Sequence, residues 1–432
     1  MSTIAPISAP TESTPPKNGP ATAVIRSWKA PIVLLVFTML AFLLLVVFGR
    51  DGVSTMRLST ATDLIQLPDI DLPTRATGVI VTLLLVLLTG WASWRVRHQK
   101  STGLWLISSF AFLFLLGFLT WAAAGATIPI PGLLFGSLSL AVPLIFGALG
   151  GVISERVGVV NVAIEGQLLA GAFTSAMVAS LTGQPLIGLA AAMLAGVMVG
   201  FVLAAFSIKY FVDQVIVGVV LNVLVTGLTG FLFSQVLAPN ASLLNQPPKF
   251  ERINIPFLSE IPILGPVLFR QTLIVYLMYF AVFAVYFGIF HTRWGLRMRS
   301  VGEHPQAADT VGINVAATRF WNVSLAGAIA GAGGAYFTLG SVGAFGKEMT
   351  AGAGFIALAA VIFGRWDPIR ATLAALLFGF ASNLQNVLSI IGSPVPSEFM
   401  LMLPYLVTIF AVAGLVGKSR GPAASGKPYI KS

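Results

Sequence analysis

Apolar runs of about 18 to 24 residues recur along the chain, among them Pro31 to Phe48, Ile187 to Ile208 and Thr272 to Phe290. Each is long enough to cross a hydrocarbon core of about 30 Å as a helix. A helix satisfies its own backbone N–H and C=O groups, which lipid cannot do, so these runs predict an all-α, polytopic bundle of transmembrane helices. Composition agrees: of 432 residues, 56% are hydrophobic and 9% charged, and the mean hydropathy is +0.91. Soluble domains carry charge on about a quarter of their residues.

Polar breaks mark out candidate spans near 31-49, 76-94, 103-124, 133-153, 158-181, 186-208, 215-237, 272-290, 319-340, 350-364, 369-391 and 399-417. The block at 350-364 falls short of the ~20 residues that a simple crossing needs. It is expected to be broken or re-entrant, giving about 10-12 spans in all. Residues 1-29, rich in Pro, Ser and Thr, are expected to form a disordered cytoplasmic tail. An N-terminal extension with about three spans follows at 30-132, then a core at 133-417 and a second cytoplasmic tail at 418-432. The first apolar block ends at Gly49-Arg50-Asp51 with no small-residue cleavage pattern, so it is read as a retained span.

With the N-terminus in the cytoplasm, inside segments collect 18 of the 25 basic residues and outside segments 7. That bias predicts both termini inside, and it accounts for the net charge of +10 without nucleic acid as a partner. The outside loops at 50-75 and 238-271 are punctuated by proline and form either small caps that meet a partner or plain connections. The absence of cysteine excludes disulfides, thiolate metal sites and cysteine nucleophiles. His98, His291 and His304 lie in or beside basic loops, without the spacing of a metal site or a catalytic triad, so no enzyme is expected.

Polar residues inside spans are costly and therefore informative. In GALGGVISERVGVVNVAIEGQLLAGAF, residues 147 to 173, Glu155, Arg156, Asn161, Glu165 and Gln167 interrupt a glycine-rich apolar run. Asn161 and Glu165 are four apart and would share a helix face, while Gly158 and Gly166 allow a break. Glu155 and Arg156 can belong to that broken segment or to a solvated turn. Glu165, about 10 Å inside the span, points to a polar cavity or an interhelical hydrogen bond.

Further along, Gly340, Gly343 and Gly346 precede Lys347-Glu348, and Gly352 and Gly354 lead into the short block, a spacing suited to unwound backbone beside a cavity. Glu348 belongs to this region. Phe345 and Phe355 can stack on a flat ligand or simply pack against helices. Asn222, eight residues beyond Gln214, and the Asn383, Gln385, Asn386 group are candidates for a polar pathway or for interhelical hydrogen bonds. Gly147 and Gly151, Gly196 and Gly200, and Gly327 and Gly331 fit small-xxx-small spacing, within this chain or toward a second one. In the basic loop Thr292 to Asn314, Pro305 predicts the start of a short helix and Gly312 its stop; lipid anchoring is the alternative use.

Three runs together, the one at 147-173, GLRMRSVGEHPQAADTVGINV and GAIAGAGGAYFTLGSVGAF, resemble the ABC-importer permeases that serve nucleosides, ribose-type sugars and branched-chain amino acids, nearest the nucleoside-type branch. The pattern Ser-Glu-Arg, Val-Val-Asn, Ile-Glu-Gly at 154-166 is its most distinctive part, and the likeness covers about 133-417. It implies a transport subunit, for which the residues themselves offer Asn161, Glu165, Asn222, Phe345, Glu348 and Phe355 as the candidate substrate pathway, the family pattern also placing an asparagine such as Asn222 after an Asp-Gln start. It also implies a helix spanning Gly302, Glu303, Pro305, Ala307, Ala308 and Asp309 that docks in a separate ATPase and transmits its closure. Implied partners are ABC ATPase subunits, a second permease subunit, an extracytoplasmic substrate-binding protein, a small polar solute and membrane lipid. No cofactor is expected on this chain; ATP and Mg²⁺ would sit on the ATPase. Gly417-Lys418-Ser419 is no phosphate loop, because Val412 stands where that motif needs glycine. The competing expectations are a sugar or branched-chain amino-acid permease, a gradient-driven secondary transporter recruiting Glu165 and Glu348, or a scaffold.

Overall fold

A computed structural model describes residues 28-100 apart from 62, residues 102-396 apart from 394, positions 399 and 402, and residues 421-431. Ten helices among the described residues are long and apolar enough to cross a membrane. They are α1 (Lys29–Val47), α2 (Thr74–Arg97), α3 (Leu104–Ala122), α4 (Ile130–Arg156), α5 (Ile164–Thr182), α6 (Pro185–Lys209), α7 (Gln214–Leu237), α9 (Leu273–His291), α12 (Val315–Val342) and α14 (Pro368–Ile390). A one-turn helix α8 (Ala241–Leu244) follows α7, and α10 (Arg293–Glu303) and α11 (Pro305–Thr310) follow α9. The short block is α13 (Ala353–Phe363), 11 residues long, about 16 Å of helix and so half a crossing. The candidate span near 399-417, but for positions 399 and 402, residues 1-27 of the N-terminal tail and Gly417-Lys418-Ser419 lie outside the described residues.

The core is built by backbones that touch. A Cβ on Gly196 of α6 would fall on the carbonyl of Gly327 of α12; one on Gly331 would meet Ala192, and one on Gly171 of α5 would meet Gly331. Small residues at these crossings let α5, α6 and α12 approach far closer than leucine would, which is how helices gain packing energy in lipid. The spacings at 196/200 and 327/331 thus belong to one interface within the chain. Gly147 and Gly151 of α4 face Ala357 and Val361 of α13, also within the chain. α12 is accordingly the most enclosed span.

The first three helices form a separate layer around Leu45, Val81, Leu85, Leu106 and Phe110. They join the core mainly at one end, where Met56, Leu119 and Ile128 pack with Leu133 of α4 and Leu384 of α14. At that end the proline-punctuated loops contain small sheets. β1 (Val53–Arg57) pairs antiparallel with β2 (Ile70–Pro73), Val53 opposite Pro73, and parallel with β3 (Thr127–Pro129), Thr55 opposite Thr127. β4 (Arg252–Asn254) pairs antiparallel with β5 (Arg270–Thr272). An ion pair of 3.2 Å between Arg270 and Asp63 bridges the two loops, and the Asp63 side chain is 3% exposed.

Candidate functional site

The site forms where two interrupted helices meet. α4 stops at Arg156, and Gly158, at φ +92°, turns the chain back into the bundle. Residues 158-163 are not helical, so the expectation of one span over 158-181 is corrected: α5 begins at Ile164, and Asn161 does not share a helix face with Glu165. The break is stable because side chains replace the helical partners of its backbone. Gln214 Oε1 accepts the Val160 N–H at 2.7 Å; Asn222 donates to the Val162 carbonyl and accepts from the Gly166 N–H, both at 2.8 Å. Asn161 is fully buried and donates to Gln167 Oε1 at 3.1 Å.

The second interruption follows α12, whose last turns widen into a π-helix over Tyr336–Val342 that ends at Gly343 with φ +86°. The chain then runs non-helically to Gly352, φ +83°, with Glu348 and Ala351 also at positive φ. Here α13 starts, and its exposed N–H groups meet Glu165. Oε1 accepts the Thr350 hydroxyl at 2.6 Å and the Gly352 N–H at 2.9 Å, while Oε2 accepts the Gly354 N–H at 2.6 Å. A carboxylate is the favoured partner for the donor-rich start of a helix. Gly354 has to be glycine, since a Cβ there would collide with the Glu165 backbone.

Depth follows from helix rise. α13 places this joint about 16 Å from the turn at 364-367, and Asn222 lies eight residues, about 12 Å, along α7 from Gln214. Both distances are close to half of a ~30 Å hydrocarbon core, so the joint sits near the membrane midplane. A cavity of about 540 Å³ opens beside it, lined by Glu165, Asn222, Thr226, Glu348, Phe355 and their neighbours Leu169, Val223, Gly227, Thr350, Ala351 and Gly352. Its size suits a small solute. The lining holds two carboxylates, an amide, two threonine hydroxyls and an aromatic face, with no basic side chain.

Four of the six predicted pathway residues, Glu165, Asn222, Glu348 and Phe355, therefore come together. Asn161 and Phe345 do not. Phe345 is 2% exposed, packed edge-on to Phe173 at 5.2 Å and near Phe233 at 5.9 Å, with Asn245 bonded to both its N–H and its carbonyl. It fills the core rather than facing a ligand. Asn383 donates to the Leu133 carbonyl at 2.8 Å, an α14–α4 bond. Glu155 is 4% exposed and accepts from the Trp366 indole, while the half-buried Arg156 donates to the Trp366 carbonyl at 2.8 Å, so this pair clasps the 364-367 turn and is not a solvated turn. Thr350 was not among the expected site residues, though it had a signal as the hydroxyl inside the glycine run, and Gln214, noted only as a neighbour of Asn222, proves to bond the Val160 N–H. No group of three His, Asp or Glu able to hold a metal occurs among the described residues.

Residues 133–412 match the family described as branched-chain amino acid transport system / permease component. The chain belongs to this family. It is a multi-pass membrane permease, a transport subunit and not an enzyme. It is 42% identical over 308 residues to the guanosine ABC transporter permease NupQ of Bacillus subtilis, covering 68% of this chain and 95% of the relative. With the nucleoside ABC transporter permease NupC of Lactococcus lactis it shares 40% over 306 residues, at the same two coverages. With the putative glucose ABC transporter permease TsgC13 of Haloferax volcanii it shares 37% over 258 residues, 59% of this chain and 77% of the relative. No solved structure matches the chain.

At the end of the permease opposite the small sheets, the basic loop is more helical than its sequence suggests. The expected single helix over 302-309 is divided: Gly302 and Glu303 close α10, and Pro305, Ala307, Ala308 and Asp309 lie in α11. The break falls at His304, φ −139° and ψ 79°, because a residue before proline is pushed out of the helical region. Gly302 packs on the Arg156 carbonyl and Ala308 is buried, so both helices lie against the bundle. Gln306, Ala307, Thr310 and Val311 point to solvent.

Proposed function

We propose that this permease imports a neutral, ring-bearing polar solute of the nucleoside class through the midplane cavity, driven by separate ABC ATPase subunits. The observation that carries this reading is the lining: hydrogen-bonding groups and one half-exposed aromatic face, Phe355, with two carboxylates and no cation. A nucleoside can stack its base on an aromatic ring and donate its hydroxyls to carboxylate and amide oxygens. A branched-chain amino acid brings a carboxylate that finds no basic partner in this lining, and the α13 N-terminus, the natural site for an anion, is already taken by Glu165. Relatives named for guanosine and nucleosides support the same choice. A ribose-like sugar is the second reading, favoured by the glucose permease among the relatives.

The wider assembly belongs to the proposal too: a second permease subunit, an extracytoplasmic binding protein that delivers the solute, and ATP with Mg²⁺ on the ATPase. The excess of basic residues in the segments on the α10–α11 side supports placing both termini and that face in the cytoplasm. A gradient-driven mechanism is the less favoured reading, because Glu165 already accepts from three protein donors as a helix cap, which leaves Glu348 as the one lining carboxylate not held in this way for a coupling ion or a solute hydroxyl. The exposed face of α11 then meets the ATPase. Replacing Ala307 by Trp, or reversing Glu303 to Arg, is expected to leave hydrolysis running while uptake collapses; uptake and hydrolysis that stay in step would refute the coupling role.

Uptake competition in cells with and without this chain tests the substrate. Nucleosides should compete, ribose weakly, leucine not at all; competition by leucine alone would overturn the reading.

A further inference from the structure

Residues 421-431 form neither helix nor strand, yet they are laced across the face that carries α10 and α11. Gly421 lies against the Trp366 indole. The Ala423 N–H donates to Glu303 Oε2 at 3.2 Å, and the Ala424 N–H to the Gly302 carbonyl at 2.9 Å. Arg319, at the start of α12, donates Nη1 to the Lys427 carbonyl at 2.9 Å. Lys431 Nζ lies 3.9 Å from the Asp309 carboxylate. Pro422 and Ala424 are buried. One short segment thereby grips the 364-367 turn, the end of α10, α11 and the start of α12.

We propose that the segment Gly421 to Lys431 is a strap that holds α10 and α11 to the bundle and makes them a rigid lever. The proposal rests on the coupling role given above to α11. A six-residue helix hinged at His304–Pro305 would swivel under a load applied to its outer face, and the displacement would be lost before it reached the spans. The strap removes that freedom by fixing Glu303 on one side of the hinge and Asp309 on the other. It lies beside the outward face and leaves Gln306, Ala307, Thr310 and Val311 open, which is the arrangement of a brace and not of a plug. Arg319 gives the strap its anchor. Arg319 is 2% exposed, with Nε and Nη2 unpartnered, so Lys427 supplies the one acceptor it has among the described residues.

The test uses the permease assembled with its ATPase. A chain ending at residue 420 should still assemble and hydrolyse ATP, while solute moved per ATP falls at least about fivefold, the lower end of typical coupling between sites. An unchanged ratio, or faster uptake as from a released brake, overturns the strap. Should the truncated chain fail to assemble, the absence of native cysteine permits a second measurement. Cysteines at Val160 and Ser425 flank the packing of Gly426 on Val160, and a short bifunctional thiol reagent should join them with uptake retained. No cross-link, or a cross-link that stops uptake, counts against the strap. Ala307→Trp in the full-length chain separates the two ideas. If it leaves uptake intact, the coupling role falls and the strap with it; if it abolishes uptake while truncation does nothing, the strap alone is wrong.

Discussion

At the residue scale, Glu165 decides the most. It is one carboxylate with three donors drawn from a loop 185 to 189 residues away, and it fastens the start of α13 to the start of α5. Glu165→Gln replaces one acceptor oxygen by an N–H₂ group aimed at backbone donors. Leaving a buried N–H without an acceptor costs about 1–3 kcal/mol, so the variant should unfold at lower temperature in detergent and lose most uptake; wild-type values for both would contradict this cap. Asn222→Leu, of similar size, removes two bonds to the backbone of the α5 entry, and a loss of the same order is expected in the same two measurements. Sequence alone exposed Glu165 and Asn222, because a polar group at membrane depth stands out against apolar neighbours. It failed at Phe345, whose composition is as suited to a ligand face as to a core. Only the position of Phe173 and Phe233 tells the two apart.

At the element scale, the long spans were legible because each must be apolar for its whole length. The interruptions were legible only in part. The 350-364 block was too short to cross, and α13 is the half-helix this implied. A break near Gly158 was expected from the glycines and Asn161, but not its extent to residue 163, because the side chains that satisfy its backbone, Gln214 and Asn222, lie over fifty positions away. The α6–α12 crossing gives a sharper expectation. Gly331→Leu puts a side chain where the Ala192 carbonyl and Gly196 already are, and no rotamer escapes a backbone contact. Overpacking costs typically about 1–3 kcal/mol where side chains can shift, and more here, where they cannot. The variant should fail to appear as monodisperse protein in detergent; Gly90→Leu, at a position with nothing within 4 Å, should behave as wild type.

At the scale of the whole molecule, the relatives cover about two thirds of the chain, and the family match begins at residue 133, so the three-helix extension lies outside it. Its helices were expected from hydropathy, but its attachment was not, since strand pairing of three to five residues leaves little trace in a sequence read for 20-residue blocks. Without native cysteines, single cysteines report orientation directly. One at Leu64 should react with an impermeant reagent added outside and one at Val311 only after the membrane is opened; the reverse pattern would invert the proposed topology. The three-stranded sheet also has a consequence in time. Its three strands all lie within residues 53 to 129, so they are complete before α4 has been synthesised, whereas Arg270 arrives some 200 residues after Asp63. Since chains fold from the N-terminus as they are made, the extension waits as a finished platform. The Asp63–Arg270 pair is then the moment at which the growing transporter is fastened to a neighbour that was there first.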